Sequence, residues 1–466
     1  MQSAATVLDV IRKRGERELP LARLYRQLFN RDLFLMAYGR IYSNKGAMTS
    51  GVTKETVDGM SMEKIDAIIR ALRSERYRWA PVKRVYIPKK NGKKRPLGLP
   101  TWSDKLVAEV VRLLLETYYE PQFSDHSHGF RPHRGCHTAL NEIVDVWKGT
   151  HWFIEGDVSD CFGSLDHSVM LSILADKIRD SRFLRLISHM LKAGYLEDWK
   201  WNATLRGAPQ GGVASPILSN IYLDRLDRFV EQQLLPIFNR GRRRRPDSAY
   251  RRIENEIAKA RRHGDRKAAR LLRRGFRSLP SQDSNDPCYR RLRYVRYADD
   301  WLLGFAGPRR EAEEIKSRIG WYLREELKLE LSDDKTLITH AATKAARFLG
   351  YDIRAQHADT KLDRNGKRGV NGVVGLFVPK TVIGQRCSLY MSGGKPALRG
   401  SLLRDTDFSI CHEVSGRVPG TRSVLPSRPG CVSSGQTPMG HGDLTAQDPG
   451  WQAPFAGHEG GEKVSC

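Results

Sequence analysis

The sequence contains no Cys-x-x-Cys pair, and its seven cysteines are scattered over 466 residues. That argues against a zinc module and against a disulfide framework, and it fits a reducing cytoplasm. No apolar run approaches the roughly 20 residues that a membrane-spanning helix needs. The opening stretch, MQSAATVLDVIRKRGERELP, lacks the basic-then-apolar order of a secretory signal. Acids are scarce relative to bases, 53 Asp and Glu against 79 Lys and Arg, for a formal net charge of +26. Such an excess points to a polyanion, nucleic acid or an anionic membrane surface. The length predicts about two to four domains with ample material for a core.

The positive charge is uneven. Residues 240–280 hold 16 Lys or Arg and four acids, a net of +12. The stretch GRRRRPDSAYRRIENEIAKARRHGDRKAARLLRRGF carries Ile253, Ile257, Leu271 and Leu272 at helical spacing. A solvated helical insertion over residues 240–290 is one reading. The density of charge favours the other, a phosphate-contacting arm that includes Arg242, Arg243, Arg244 and Arg245.

Residues 21–42 and 61–78 read as helices. The segment VKRVYIPKKNGKKRPLGLP (82–100) alternates, turns at Asn91-Gly92 and resumes, which predicts a hairpin. Residues 104–119 and 213–235 read as helices, and HWFIEGDV (151–158) as a buried strand ending in Asp157. DHSVMLSILADKI (166–178) reads as a helix capped by Asp166. LRYVRYADDWLLGF (292–305) reads as strand, tight turn, strand, and RFLGYDI (347–353) as another short strand. Mixed elements in this order predict an α+β fold with a small antiparallel sheet.

Asp157, Asp299 and Asp300 thus fall at strand ends or turns. Packed carboxylates disfavour one another's ionisation, and a divalent cation removes that cost. Two ions about 3.5–4 Å apart can activate an attacking oxygen and steady a leaving one in phosphoryl transfer. For any single Asp, a turn cap or a solvated side chain is the simpler reading. A double acid flanked by Trp301 in an apolar hairpin is harder to dismiss in that way.

YADD (297–300), DVSDCF (157–162) and APQGGVASP (208–216) resemble a reverse transcriptase. IPKKNGKKRPLGLPTWSDKLV (87–107), HGFRPHRGCHTAL (128–140), LSDDKTLITH (331–340) and FLGYDI (348–353) extend the likeness. Together, and in this order, the blocks resemble the group II intron-encoded reverse transcriptase/maturase family over about residues 20–410. YADD alone would be a weak signal; the ordered set is specific.

The resemblance implies an α+β right-hand polymerase with helical and β-hairpin fingers, a small antiparallel-sheet palm and a helical thumb, which the sequence past residue 410, read below, leaves as a truncated helical thumb. The implied division is an N-terminal extension and start of the fingers at 1–80, fingers at 81–150, palm at 151–355 and start of the thumb at 356–410. It implies Asp157, Asp299 and Asp300 as catalytic metal ligands for two Mg²⁺ ions, with Mn²⁺ as a substitute, and the Val158 carbonyl as a fourth ligand. Lys89 and Arg95 are implied to hold the incoming triphosphate, and Gln210 to sit beside the nascent pair. Phe162 is implied as the aromatic under the deoxyribose, where its ring would clash with a 2′-OH; core packing is the competing reading. Lys335 is implied near the departing pyrophosphate as a possible general acid, with a plain surface lysine as the alternative. Gly163 stands where many members have Asp. HGFRPHRG is expected to touch template or backbone, and its His and Arg residues lack metal-ligand spacing.

The implied partners are group II intron RNA, an RNA template with a DNA primer, and deoxynucleoside triphosphates, with no membrane; a cytoplasmic, bacterial setting is expected. RNA-directed DNA polymerase is the leading function. A non-catalytic intron RNA-binding maturase, or an inactive truncated product, is the alternative. A DNA endonuclease would need a C-terminal Cys/His module, which the sequence does not show.

Past DTDFSI (405–410) the pattern changes. Residues 411–466 hold ten Gly and six Pro with no helical period, the composition of low-complexity chains. Reading codons one base later from Cys411 permits VMKYQAEYRGLVQYYLLAQD, which resembles the family's thumb helix. Met439-Gly440 then forces Trp and Trp451-Gln452 forces Gly, where LRWAMETSLLKTLAGKH becomes possible. The expectation is an out-of-frame tail that replaces most of the thumb; a disordered tail is the simpler reading.

Overall fold

A computed structural model describes residues 2–396, apart from 45, 89–91, 93, 209–210, 277–278, 284–285, 333, 359–360, 362–369, 389–390 and 393–394. Lys89, Gln210, the end of the expected thumb (397–410) and the tail 411–466 lie outside the described residues.

The N-terminal region is helical because its caps are in place. Ser3, Asn30, Ser61 and Thr101 each accept a backbone N–H at the start of the helices Ala4–Glu16, Arg31–Ile41, Met62–Arg73 and Trp102–Tyr119. Asn30 also breaks the helix expected over 21–42: Tyr25–Phe29 is a 3₁₀ turn, and a new helix begins at Arg31. The helix expected over 61–78 ends at Arg73. Trp102–Tyr119 is the spine of this region. Leu106, Val107, Val110, Val111, Leu113, Leu114, Leu115 and Tyr118 are all buried, so apolar residues surround it as in a core helix.

β1 (Val82–Pro88) and β2 (Lys94–Leu99) form the expected hairpin. β3 (Trp152–Asp157) is central to the main sheet. β4 (Tyr195–Glu197) and β5 (Lys200–Asn202) extend the β1–β2 sheet through a parallel β1–β4 pairing. β6 (Arg291–Tyr297), β7 (Asp300–Ala306) and β8 (Ile338–His340) complete the main sheet in the order β6-β7-β3-β8, every pair antiparallel.

The main sheet is covered on both faces, which is why its central strands β3 and β7 are buried almost continuously rather than in alternation. Ile154, Trp301, Leu303 and Phe305 join one core with the helices Trp102–Tyr119 and Ser215–Phe229. Phe153, Val295 and Leu302 join a second core with Trp147, Phe348 and Ile353.

RFLGYDI is not the single strand expected. β9 (Ala346–Phe348) and β10 (Tyr351–Ala355) form a tight hairpin, with Leu349 at φ 50° and Gly350 at φ 85° as the two turn residues. Positive φ at both positions matches the twist of a two-residue hairpin. β11 (Val374–Phe377) pairs with β10, so this sheet runs across residue 355, where the thumb was expected to begin.

The basic insertion is a helical hairpin, Ser248–Arg262 and Arg266–Phe276, turning at Gly264 with φ 74°. Its neck is closed by bridges between Arg240 and Arg290 and between Pro246 and Gln282. No helix among the described residues is long and apolar enough to cross a membrane.

Candidate active site

The register of the main sheet brings the acids together. Asp157, the last residue of β3, pairs directly with Asp300, the first of β7, and Asp299 occupies the two-residue turn between β6 and β7. Asp157 is buried and Asp300 is exposed at the rim. Withdrawal from water, and then the charge of Asp157, raise the pKa of Asp299. Asp300 is pushed up to about 7, first by loss of hydration where neighbouring protein shields its carboxyl, then by the charge of Asp299 and a hydrogen bond with Asp157. Lys335 Nζ donates to Asp157 Oδ2, and this partner raises the lysine's own pKa. Arg95, exposed on β2, is close enough for its charge to oppose the rise at Asp299. Val158 is buried beyond Asp157 and bridges to Leu331, with Ser332 N donating to Asp157 O at 2.9 Å.

The turn that carries Asp299 is strained and held from below. Ala298 has φ 56°, the left-handed region that disfavours a side chain. Its carbonyl accepts from Arg296 Nη1 at 2.8 Å. Arg296 is wholly buried and gives Asp227 two hydrogen bonds, at 2.7 and 2.6 Å. Tyr294 donates to the same carboxylate at 2.7 Å, and Arg296 Nη2 donates to Ser127 Oγ at 2.9 Å. A buried charge is tolerable only when paired this fully. Ser127 belongs to the loop of HGFRPHRG, which lies along β6: His128 N donates to Arg296 O and Arg296 N to His126 O, at 2.9 and 2.8 Å. Gly129 abuts Ala298 so closely that a Cβ there would overlap the Ala298 backbone nitrogen. His126 and His128 both bond Glu142, at 2.5 and 2.9 Å.

Phe162 lies half-buried on the short helix Cys161–Ser164. Its carbonyl accepts from Ala208 N at 2.7 Å, so the segment leading to Gln210 is seated on it. Gly207, at φ 89°, makes that approach possible, since a Cβ would fall 2.7 Å from Phe162 O. Phe162 and Phe130 meet edge to face, 6.4 Å between ring centroids.

Arg242–Arg245 are not near the carboxylates. Arg244 donates to Gly149 O at 3.0 Å and lies over Tyr289, while Arg242 and Arg243 are exposed. Gly149 precedes β3, so the neck of the arm sits at the opposite end of that six-residue strand, roughly 20 Å away. Arg245 is tied by its backbone N to Asp286 at 2.7 Å. The sequence reading missed Arg296, Asp227 and Phe130. Arg296 is one of three arginines in β6, with Arg291 and Arg293, and nothing local marks it as the buried one or reveals its partner.

Residues 87–353 match the family described as reverse transcriptase (RNA-dependent DNA polymerase). The chain is 41% identical over 431 residues to the group II intron-encoded protein LtrA of Lactococcus lactis subsp. cremoris, covering 88% of this chain and 72% of that one. It is 41% identical over 356 residues to an uncharacterized 91 kDa protein in the cob intron of Schizosaccharomyces pombe, covering 74% of this chain and 43% of that one. It is 26% identical over 306 residues to nuclear intron maturase 1, mitochondrial, of Arabidopsis thaliana, covering 54% and 40%. These sources span a bacterium, a yeast and a plant, so the matches alone do not assign a bacterial origin. The ordered motifs, the strand-end carboxylates and the extent of these matches agree: the chain belongs to the group II intron-encoded reverse transcriptase/maturase family, whose enzymes are RNA-directed DNA polymerases.

Proposed function

We propose that Asp157, Asp299 and Asp300 form the polymerase centre, and that it copies intron RNA into DNA from a DNA primer. The observation that carries this is the direct pairing of Asp157 with Asp300 while Asp299 occupies the adjoining turn. Loss of hydration first, and then the charge of Asp299, push Asp300 to about 7, and a divalent cation would offset both. Among the described residues no three His, Cys, Asp or Glu side chains close into a metal cage. Mg²⁺ usually takes one or two carboxylates and fills its shell with water and substrate phosphate, so the three acids would be shared between two ions. Two bound Mg²⁺, or Mn²⁺ in their place, would activate the primer's 3′-oxygen and steady the leaving pyrophosphate.

The chain's own residues do the rest. Asp157, Asp299 and Asp300, with the Val158 carbonyl, hold the ions. Arg95, with Lys89, binds the triphosphate, and Arg can do so bidentately. Phe162 excludes the 2′-OH, and Gln210 lies beside the nascent pair. Lys335, kept protonated by Asp157, is placed to donate a proton to the departing pyrophosphate. The β1–β2 hairpin belongs to the fingers and the main sheet to the palm of residues 151–355, and β11 lies in the segment assigned to the start of the thumb, 356–410. Arg242 and Arg243, with the helical hairpin they lead into, bind intron RNA in the maturase role.

The tail limits this chain. A reading frame lost near residue 410 would remove most of the thumb and with it the grip on the template–primer duplex. Primer extension on an RNA template, with and without Mg²⁺, tests the polymerase reading. Intron RNA binding with no Mg²⁺-dependent extension, even after the frame is restored, would leave only the maturase role.

A further inference from the structure

Phe130 is an expensive residue to keep where it is. Its φ is 56°, a backbone region that a bulky side chain rarely adopts, and its ring is 50% exposed. Strain of this kind persists only where the surroundings over-determine it. Here they do. His128 and Arg131 on either side are buried. Gly129 is jammed against Ala298, and Gly129 O accepts from Asn220 Nδ2 at 2.8 Å. Arg131 Nη1 donates to Ser124 O and Ser127 O, at 2.6 and 2.7 Å. The loop is therefore held on both sides of Phe130 and leaves one large apolar ring half exposed.

That ring meets one aromatic partner, Phe162, at 6.4 Å and 75°, within the range of edge-to-face pairs. Phe162 needs such a neighbour. It lies on a four-residue helix, it is only half-buried, and the residue after it is Gly163, which lends it no side chain. A ring that must reject a single hydroxyl has to be fixed to within a fraction of an ångström, and an unsupported half-exposed ring can swing aside.

We infer that Phe130 is the positioning residue of the sugar gate: it holds the Phe162 ring in place and so sets how strongly the site prefers deoxynucleotides to ribonucleotides. This rests on the reading of Phe162 as the gate. The same loop pairs with β6 beneath the Asp299 turn, so gate and carboxylates are aligned by one element.

The test is a double-mutant cycle in the chain with one base deleted at the codon for Cys411, the form expected to extend primers: that parent, Phe130→Ala, Phe162→Ala and the double variant, with Phe130→Leu as the conservative replacement. Alanine keeps a Cβ, so the backbone cost at position 130 is unchanged and folding is little affected. The readout is the preference for dATP over ATP. It is measured by single-nucleotide addition to a primer in excess. It is also measured, without turnover, as the ratio of the two dissociation constants on a primer ending in a 3′-deoxy residue.

Phe162→Ala should lower the preference by about a hundredfold and Phe130→Ala by about tenfold, within the range that apolar contacts discriminate. Phe130→Leu should restore most of it. The double variant should be no worse than Phe162→Ala, because Phe130 acts through Phe162. If Phe162→Ala leaves the preference unchanged, the gate reading itself fails and this inference falls with it. If Phe162→Ala lowers the preference but Phe130→Ala does not, or lowers activity with both nucleotides equally, only the inference about Phe130 is overturned. If the two losses multiply, Phe130 touches the nucleotide itself and does not act through Phe162.

Discussion

Three carboxylates within one turn of the sheet are unfavourable unless something binds them, and that gives a residue-scale prediction independent of catalysis. A ligand that binds only the folded chain stabilises it by about 2.7 kcal/mol at roughly 100 times its dissociation constant. Mg²⁺ should therefore raise the thermal midpoint of the wild-type chain, and chelation should reverse the rise. Asp157→Asn should lose the increment while keeping the same midpoint in chelator, or a higher one, because the like-charge crowding is reduced. Equal Mg²⁺ shifts in both proteins, measured by differential scanning fluorimetry, would move the metal elsewhere. The acids were legible in the sequence because each ends an apolar run that reads plainly as a strand. Phe130 was not legible, since nothing in HGFRP announces which residue will be forced into a left-handed conformation.

At the scale of elements, the β6–β7 hairpin depends on a pair that joins distant parts of the chain. Arg296 and Asp227 are both wholly buried, and removing one partner strands the other's charge. Asp227→Asn or Arg296→Met should cost roughly 3–5 kcal/mol in urea unfolding. Tyr294→Phe should cost about 1 kcal/mol, since it removes one hydrogen bond and leaves the ion pair intact. Near-neutral values for the first two would mean that the pair does not hold the turn.

The loop packed on β6 carries its own pH signature. Burial pushes the Glu142 carboxyl upward, but bonds from His126 and His128 outweigh it and bring the carboxyl down to about 2. The stability it contributes is present above the ordinary carboxylate value of 4.5 and is lost as pH falls from there toward 2. His126 is raised, chiefly by the same hydrogen bond. Its contribution is full below 6.5 and is lost as pH rises through its raised value. Glu142→Gln should flatten both limbs of the thermal stability profile, and an unchanged profile would show that the cluster is not coupled to folding. Elements with local signals were legible: the β1–β2 hairpin, though its expected Asn91-Gly92 turn falls largely outside the described residues, the Asp166 cap and the strand ending at Asp157. RFLGYDI was misread because seven apolar-rich residues look like one strand until Leu349 and Gly350 both turn out to have positive φ. The Arg296–Asp227 pair spans 69 positions, and no periodicity encodes a partner so far away.

At the scale of the whole molecule, charge and length decide what the chain can hold. Arg242 and Arg243 are exposed at the neck of the basic hairpin, whereas Arg244 is committed to Gly149 and Tyr289. Replacing Arg242 and Arg243 with Ser should weaken binding of intron RNA and reduce the slope of log affinity against log salt by about 0.7–0.9 for each phosphate no longer neutralised. Adding Arg244→Ser should instead lower thermal stability, because that side chain packs the neck. A wild-type salt slope in the double variant would leave the arm as a solvated insertion.

The central claim is that the carboxylate cluster on β3 and the β6–β7 turn performs RNA-templated DNA synthesis, and that the tail, not the site, limits this chain. One experiment addresses both parts: primer extension on an RNA template with Mg²⁺, comparing the unaltered chain, the chain with one base deleted at the codon for Cys411, and that repaired chain carrying Asp299→Asn. The account predicts weak or no extension from the first, robust extension from the second, and background from the third with RNA binding retained. Extension by the Asp299→Asn variant at the rate of its repaired parent would contradict the assignment of the site, and full activity of the unaltered chain would contradict the role assigned to its tail.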